Sequence, residues 1–147
     1  MIIRELYETV CERLLATGKV KYVDLWNHNV EFIEQETAWP RPAVFVEFCP
    51  IAWQSQQPGV RYCAEASLNL HIVTEWQGST AFCTDDKWKE NLGVLDLLDS
   101  IHEAMRLIDG ESFKRLEISK TVMNHNHEDI VETIESYGYV VFLDFKR

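Results

Sequence analysis

From Val60 to Trp76 apolar and polar side chains alternate with little interruption. One face reads Val60, Tyr62, Ala64, Ala66, Leu68, Leu70, Ile72, Thr74, Trp76, and the other Arg61, Cys63, Glu65, Ser67, Asn69, His71, Val73, Glu75. A period of two belongs to β-strands, so this segment predicts one very long strand. At ~3.3 Å per residue it extends roughly 55 Å. A compact domain of 147 residues has a radius of gyration of roughly 15 Å, a sphere roughly 38 Å across. The strand must therefore overshoot its domain, bend at a bulge or break in two. If it overshoots, its apolar face needs cover from another subunit. The chain reads first as an assembly protein.

The remaining segments fall around this strand. Ile3, Leu6, Tyr7, Val10, Leu14 and Leu15 keep helical spacing and Gly18 follows, which predicts an amphipathic helix over Ile2 to Thr17. Leu92, Leu95, Leu98, Ile101, Met105 and Ile108 form a second stripe. Asp85 or Asp86 suits its start and Gly110 its end, so a second helix is predicted from about Asp86 to Asp109. Ala43 to Cys49 (AVFVEFC) reads as a strand with a weaker one at Val20 to Trp26 and another at Val30 to Glu34. Ile51 to Gly59 reads as a polar loop that makes Ala43–Cys49 and the long strand a hairpin. Phe113 to Val122 alternates again, with Phe113 and Leu116 on opposite faces. Asn124 to Asp129 reads as a polar turn and Ile130 to Phe145 as a last long strand. In it, Tyr137-Gly138-Tyr139 suits a bulge, and the apolar run from Tyr139 predicts cover on both faces. Together these predict an α+β fold: an antiparallel sheet with long strands, flanked by two amphipathic helices, in one domain over residues 1–147.

Charge narrows the partners. Twenty-four acidic against fourteen basic residues give a net charge of −10. That opposes groove-tracking contact with nucleic acid, which relies on Lys and Arg at phosphates, and opposes binding to an anionic membrane surface. No segment reaches the ~20 apolar residues of a membrane span. Charges interrupt Met1 to Ala16, so it reads as a helix and not as a signal peptide. Cys11, Cys49, Cys63 and Cys83 lack C-x-x-C spacing and read as reduced thiols in a cytosolic protein, although Cys49 and Cys63 suit facing positions across the hairpin.

Few residues point to chemistry. His125, His127, Glu128 and Asp129 form the best metal candidate, because residues two apart on a strand share a face. The interleaved Asn124 and Asn126 favour a solvated turn instead. His71 reads as structural or interfacial, His102 as packing beside the helical stripe, and His28 as part of a turn. The pairs Asp96/Asp99 and Asp99/Glu103 read as exposed helix charge. No glycine-rich phosphate loop, nucleophile elbow or zinc-protease motif is present. The chain is read as a non-enzyme with no metal and no cofactor.

Three stretches carry a resemblance: IIRELYETVCERLLA; AVFVEFCP with its polar loop and VRYCAEASLNLHIVTEW; and LGVLDLLDSIHEAM followed by a strand and NHNHEDIVETIESYGYVVFLD. In order and pattern the chain resembles the tail-terminator and tail-completion proteins of long-tailed bacteriophages and prophages. The resemblance covers nearly the whole chain but contains no specific motif. It implies a helix-flanked antiparallel sheet assembled into a homo-oligomeric ring, often a hexamer, that caps the tail tube and joins it to the head. It also implies tail-tube and head-connector proteins as partners, and a chain that is cytoplasmic during assembly and later part of the virion tail. The tryptophans Trp26, Trp39, Trp53, Trp76 and Trp88 are not explained by it.

Two other readings remain: an oligomeric adaptor without a phage role, and a small-ligand or metal binder using the histidine cluster or a Trp-lined pocket. On the assembly reading the interface residues are Trp53, Gln54 and Gln56 in the polar loop, with Arg61, Glu65 and Glu75 on the polar face of the long strand. Arg61→Glu is then expected to weaken assembly and leave the monomer folded. Light scattering reads the first effect and circular dichroism the second; an unchanged oligomer removes Arg61 from the interface.

Overall fold

The computed structural model describes residues 2–27, 39–75, 87–127 and 130–145. In chain order the elements are α1 (Ile2–Leu15), β1 (Tyr22–Leu25), β2 (Ala43–Phe48), β3 (Gln54–Gln57), β4 (Arg61–Glu75), α2 (Lys87–Glu90), α3 (Gly93–Ala104), β5 (Phe113–His127) and β6 (Ile130–Asp144). The fold is α+β, as the sequence predicts. One six-stranded sheet runs β1-β2-β4-β6-β5, and β3 adds to β4 beyond the end of β2. All pairings are antiparallel except β1 with β2, which is parallel.

The long strand neither breaks nor bulges against its main partner. Each residue from Arg61 to Glu75 faces one from Asp144 to Ile130 in continuous register. Its even-numbered face carries Ala64, Leu68, Leu70 and Ile72 into a core with Leu6, Val10 and Leu14 of α1 and Leu97, Leu98 and Ile101 of α3. At 1.5 Å per residue these helices are only about 20 Å long against about 50 Å of strand, so the helical layer stops short. The uncovered end lies beside β3, where Trp53 and Phe145 are 41% and 50% exposed, and Phe142 on the opposite face of the same end is 37% exposed. The apolar tail of β6 is therefore not covered on both faces, contrary to its sequence pattern.

Several expectations need correction. The segment read as a polar loop contains β3, and the reversal tightens to Pro58-Gly59. Val60 N–H donates to the Gln57 carbonyl at 2.9 Å and Gly59 adopts φ +73°, which suits a turn with Pro then Gly at its centre. Strand β5 continues through His127, which pairs with Ile130, so Asn124 to His127 belong to a strand and not to a turn. The irregularity expected at Tyr137-Gly138-Tyr139 sits on the neighbouring strand. From Phe113 to His127 β5 takes fourteen steps while β6 takes eleven from Val141 to Ile130, and the three extra residues form three bulges. The first, with Arg115 at φ +60°, brings Phe113 and Leu116 into the same core, although simple alternation sets them on opposite faces.

The second helix is shorter than its stripe. It breaks around Asn91 and Leu92 into α2 and α3 and ends at Ala104, with Leu107 at φ +57°. Asn and Gly are weak helix formers, and Gly93 stands at the restart. Leu95 is 44% exposed and Leu97 takes its buried place. The candidate strand at Val30–Glu34, His28, the connector from Gln77 to Asp86 with Cys83 and the cap candidates Asp85 and Asp86, and Trp76, Glu128 and Asp129 lie outside the described residues.

Gly110 is needed for space and not to end the helix. A Cβ there meets the Phe113 ring at 2.6 Å and Glu5 at 2.8 Å, and Phe113 is only 1% exposed. Gly110→Ala is expected to cost about 1–3 kcal/mol by overpacking, read as a lowered midpoint in urea unfolding. An unchanged midpoint shows that the Phe113 ring moves aside freely.

Candidate functional site

The odd-numbered face of β4, opposite the helices, is divided. At one end Ala43, Phe45, Val73, Ile130 and Trp39 form a second small core. At the other end Arg61, Cys63, Glu65 and Ser67 share their face with Gly138, Val140 and Phe142 of β6. Between the two lies a polar array built by three central strands. β2 supplies Glu47, β4 Asn69 and His71, and β6 Glu132 and Ser136.

His71 is the centre of the array. It is 5% exposed and stacks on the Trp26 indole with ring centroids 3.7 Å apart and planes 1° from parallel. Its Nδ1 lies 2.8 Å from a Glu132 oxygen and its Nε2 2.8 Å from a Glu47 oxygen. A neutral imidazole has one N–H and one lone pair, whereas an ionised carboxylate only accepts. Both contacts are satisfied together when the ring is an imidazolium. Burial opposes that charge, but the hydrogen bonds to Glu132 and Glu47 outweigh it, and the pKa of His71 is raised. Asn69 donates to Glu47 at 3.0 Å and accepts from the Ser136 hydroxyl at 2.7 Å, which extends the array across β2, β4 and β6. These hydrogen bonds run from strand to strand and tie β2, β4 and β6 together.

A second buried carboxylate sits on the helix side. Glu135 is fully buried, accepts a hydrogen bond from Thr121 and pairs with His102, which thus does more than pack beside the helical stripe. Burial, with Glu135 nearby, raises the pKa of Tyr137, and burial pushes Tyr139 up to about 12, so both stay protonated near neutral pH. Burial also pushes the Cys11 thiol up, against a hydrogen bond with Tyr7 that pulls it down, and a protonated thiol is a poor nucleophile. Cys11, Cys49 and Cys63 are free thiols. Cys49 aligns with Ser67, not with Cys63.

The residues singled out from the sequence are spread along the sheet. Trp53 precedes β3; Gln54 and Gln56 lie within it, and the Gln56 amide donates to Cys63 Sγ at 3.2 Å. Arg61 bridges Asp144 at 3.6 Å and Glu75 bridges Arg41 at 3.3 Å, both within one chain. Glu65 borders a shallow groove of about 350 Å³ with Arg115, Glu117 and Gly138. His125 and His127 stand on β5 with a register shift between Asn124 and His127. Among the described residues no group of three or more His, Cys, Asp or Glu is placed to hold a metal ion. Among them, too, no helix is long and apolar enough to cross a membrane. Sequence reasoning missed Glu47 and Glu132. The available signal was Glu47 as the only charge in AVFVEFC, at a position where a strand covered on both faces demands a partner.

Neither the protein-family models nor the curated proteins include a match to this sequence. Among solved structures, a chain from the "Virion of native gene transfer agent (GTA) particle" matches with a TM-score of 0.57 and 11% identity, over 94% of this chain and 95% of that one. At that identity the likeness shows a shared fold.

The His71 array predicts a pH dependence. A folded pKa above the unfolded value of about 6.5 means that the array contributes fully below that pH and loses its contribution as pH rises through the folded pKa. His71→Gln is expected to destabilise by about 1–3 kcal/mol below pH 6, with the gap to the unsubstituted protein narrowing toward pH 9. Parallel melting curves across that range contradict the imidazolium assignment.

Proposed function

We propose that this chain is a structural protein of a phage-like particle, a tail-terminator or head–tail completion subunit that works as a homo-oligomeric ring. The observation that carries the reading is the fold shared with a gene transfer agent virion chain over nearly the whole length of both chains. The sheet supports it in two ways. Its buried polar groups are used to tie strands together, as a scaffold requires. It also leaves aromatic surface at Trp53, Phe142 and Phe145 for a neighbour to cover. On this reading the chain is not an enzyme and needs no cofactor. Tail-tube and head-connector proteins are its partners, and it passes from the cytoplasm into the virion tail. The net charge of −10 then repels DNA moving through the particle.

Light scattering after size exclusion, over a concentration series, tests the ring. A closed oligomer of about six subunits is expected, visible as rings in negative-stain images. A monomer at every concentration removes the ring and moves weight to the adaptor and ligand-binding readings.

A further inference from the structure

Among the described residues three strands of the sheet pair on one side only: β3, which flanks one end of β4, and the two outermost strands, β1 and β5. The long strands β4 and β6 are interior and cannot dock a neighbour through their backbones. The two outermost edges stand level. Tyr22 is in register, through Ala43, Val73 and Glu132, with Asn124; Leu25 is in register, through Val46, Leu70 and Glu135, with Thr121. β1 runs parallel to β2, and each later pairing reverses direction, so β1 and β5 point opposite ways. A second copy rotated about an axis along the strands therefore presents β1 antiparallel to β5 with no slide along the strand direction. Rotation without translation closes into a ring, whereas a slide gives an open filament.

The side chains agree. Bulges interrupt β5 on either side of Lys120–Asn124 and leave that run regular. Bulges and cations normally guard an edge; here the bulges flank the run and its one cation, Lys120, stands at its first position, which leaves Thr121–Asn124 regular for pairing. Val122 and Met123 in this run are 37% and 39% exposed, and Leu25 on β1 is 48% exposed. Leu25 and Met123 lie on the helix side of the sheet. Asp24 and Lys120 lie on the other side, two residues from direct opposition and within reach of a diagonal ion pair. In the single chain Asp24 accepts the Leu25 N–H at 2.8 Å, which occupies one edge donor until a strand replaces it.

We propose that β1 of one copy adds to the Lys120–Asn124 run of β5 in the next, making the sheet continuous around the ring. This rests on the ring reading above and names its interface. The test compares Leu25→Lys and Met123→Lys with the unsubstituted chain by light scattering, since an added lysine blocks a strand edge. Each variant is expected to stay monomeric at concentrations at least tenfold above those that assemble the unsubstituted chain, with an unchanged circular dichroism spectrum. Mixed together, the two variants retain one intact β1 edge and one intact β5 edge, so they are expected to form a two-chain species and stop. If both variants still form the oligomer, the interface lies elsewhere and the ring stands. If each is monomeric but the mixture does not pair, β1 and β5 are not each other's partners. If the unsubstituted chain is itself monomeric, the ring reading and this interface fall together. Should Met123→Lys unfold the chain, Val122→Lys on the opposite side of the same run serves in its place.

Discussion

Fifteen consecutive pairs between β4 and β6 set the frame of this protein. A ladder of that length has one register that keeps Leu68, Leu70 and Ile72 facing the helices, because a slip of one residue turns the whole apolar set outward. β2 and β3 share the other side of β4 end to end, β5 follows β6, and β1 follows β2. Helices α1 and α3 take what remains, the middle of one face.

The two faces are held by different physics. On the helix side, burial of aliphatic side chains dominates, a force without direction that tolerates small shifts. On the other side, His71 between Glu47 and Glu132 works through distance and angle. Such a group contributes less net free energy than its Coulomb attraction suggests, because His71 and Glu132 leave water to form it. Its value is in specifying which strands lie together. Asn69 and Ser136 repeat the principle with neutral hydrogen bonds.

The sequence was legible wherever one periodicity acted over many residues. The first helix, the long strand and the last strand stand close to their expected places, and Gly18 takes the left-handed conformation at φ +72° expected after α1. Failures cluster where a single residue changes the phase. Arg115 at the first bulge joins Phe113 to Leu116, and alternation cannot register such an insertion. Leu107 takes a left-handed conformation usually left to glycine, so the sequence points to Gly110 for the helix end, whereas the constraint at Gly110 is the Phe113 ring. β3 was hidden because Gln and Ser have no strand preference to show; it exists because β4 offers it a place. The site was partly legible: the sequence marks His71 as structural or interfacial, but its carboxylates come from strands 24 and 61 residues away in sequence.

That separation has a consequence for how the molecule forms. β4 and β6 meet only after both helices and β5 have been made, so the central ladder is almost wholly non-local. Chains dominated by such pairings fold slowly, because loop closure is a cost met before the contacts return it. Until β6 arrives, one long side of β4 is an open template of amide and carbonyl groups with Leu68, Leu70 and Ile72 beside it. The newly made chain is thus at its most aggregation-prone between the emergence of β4 and the docking of β6, and quality control in the cell has most to act on in that interval.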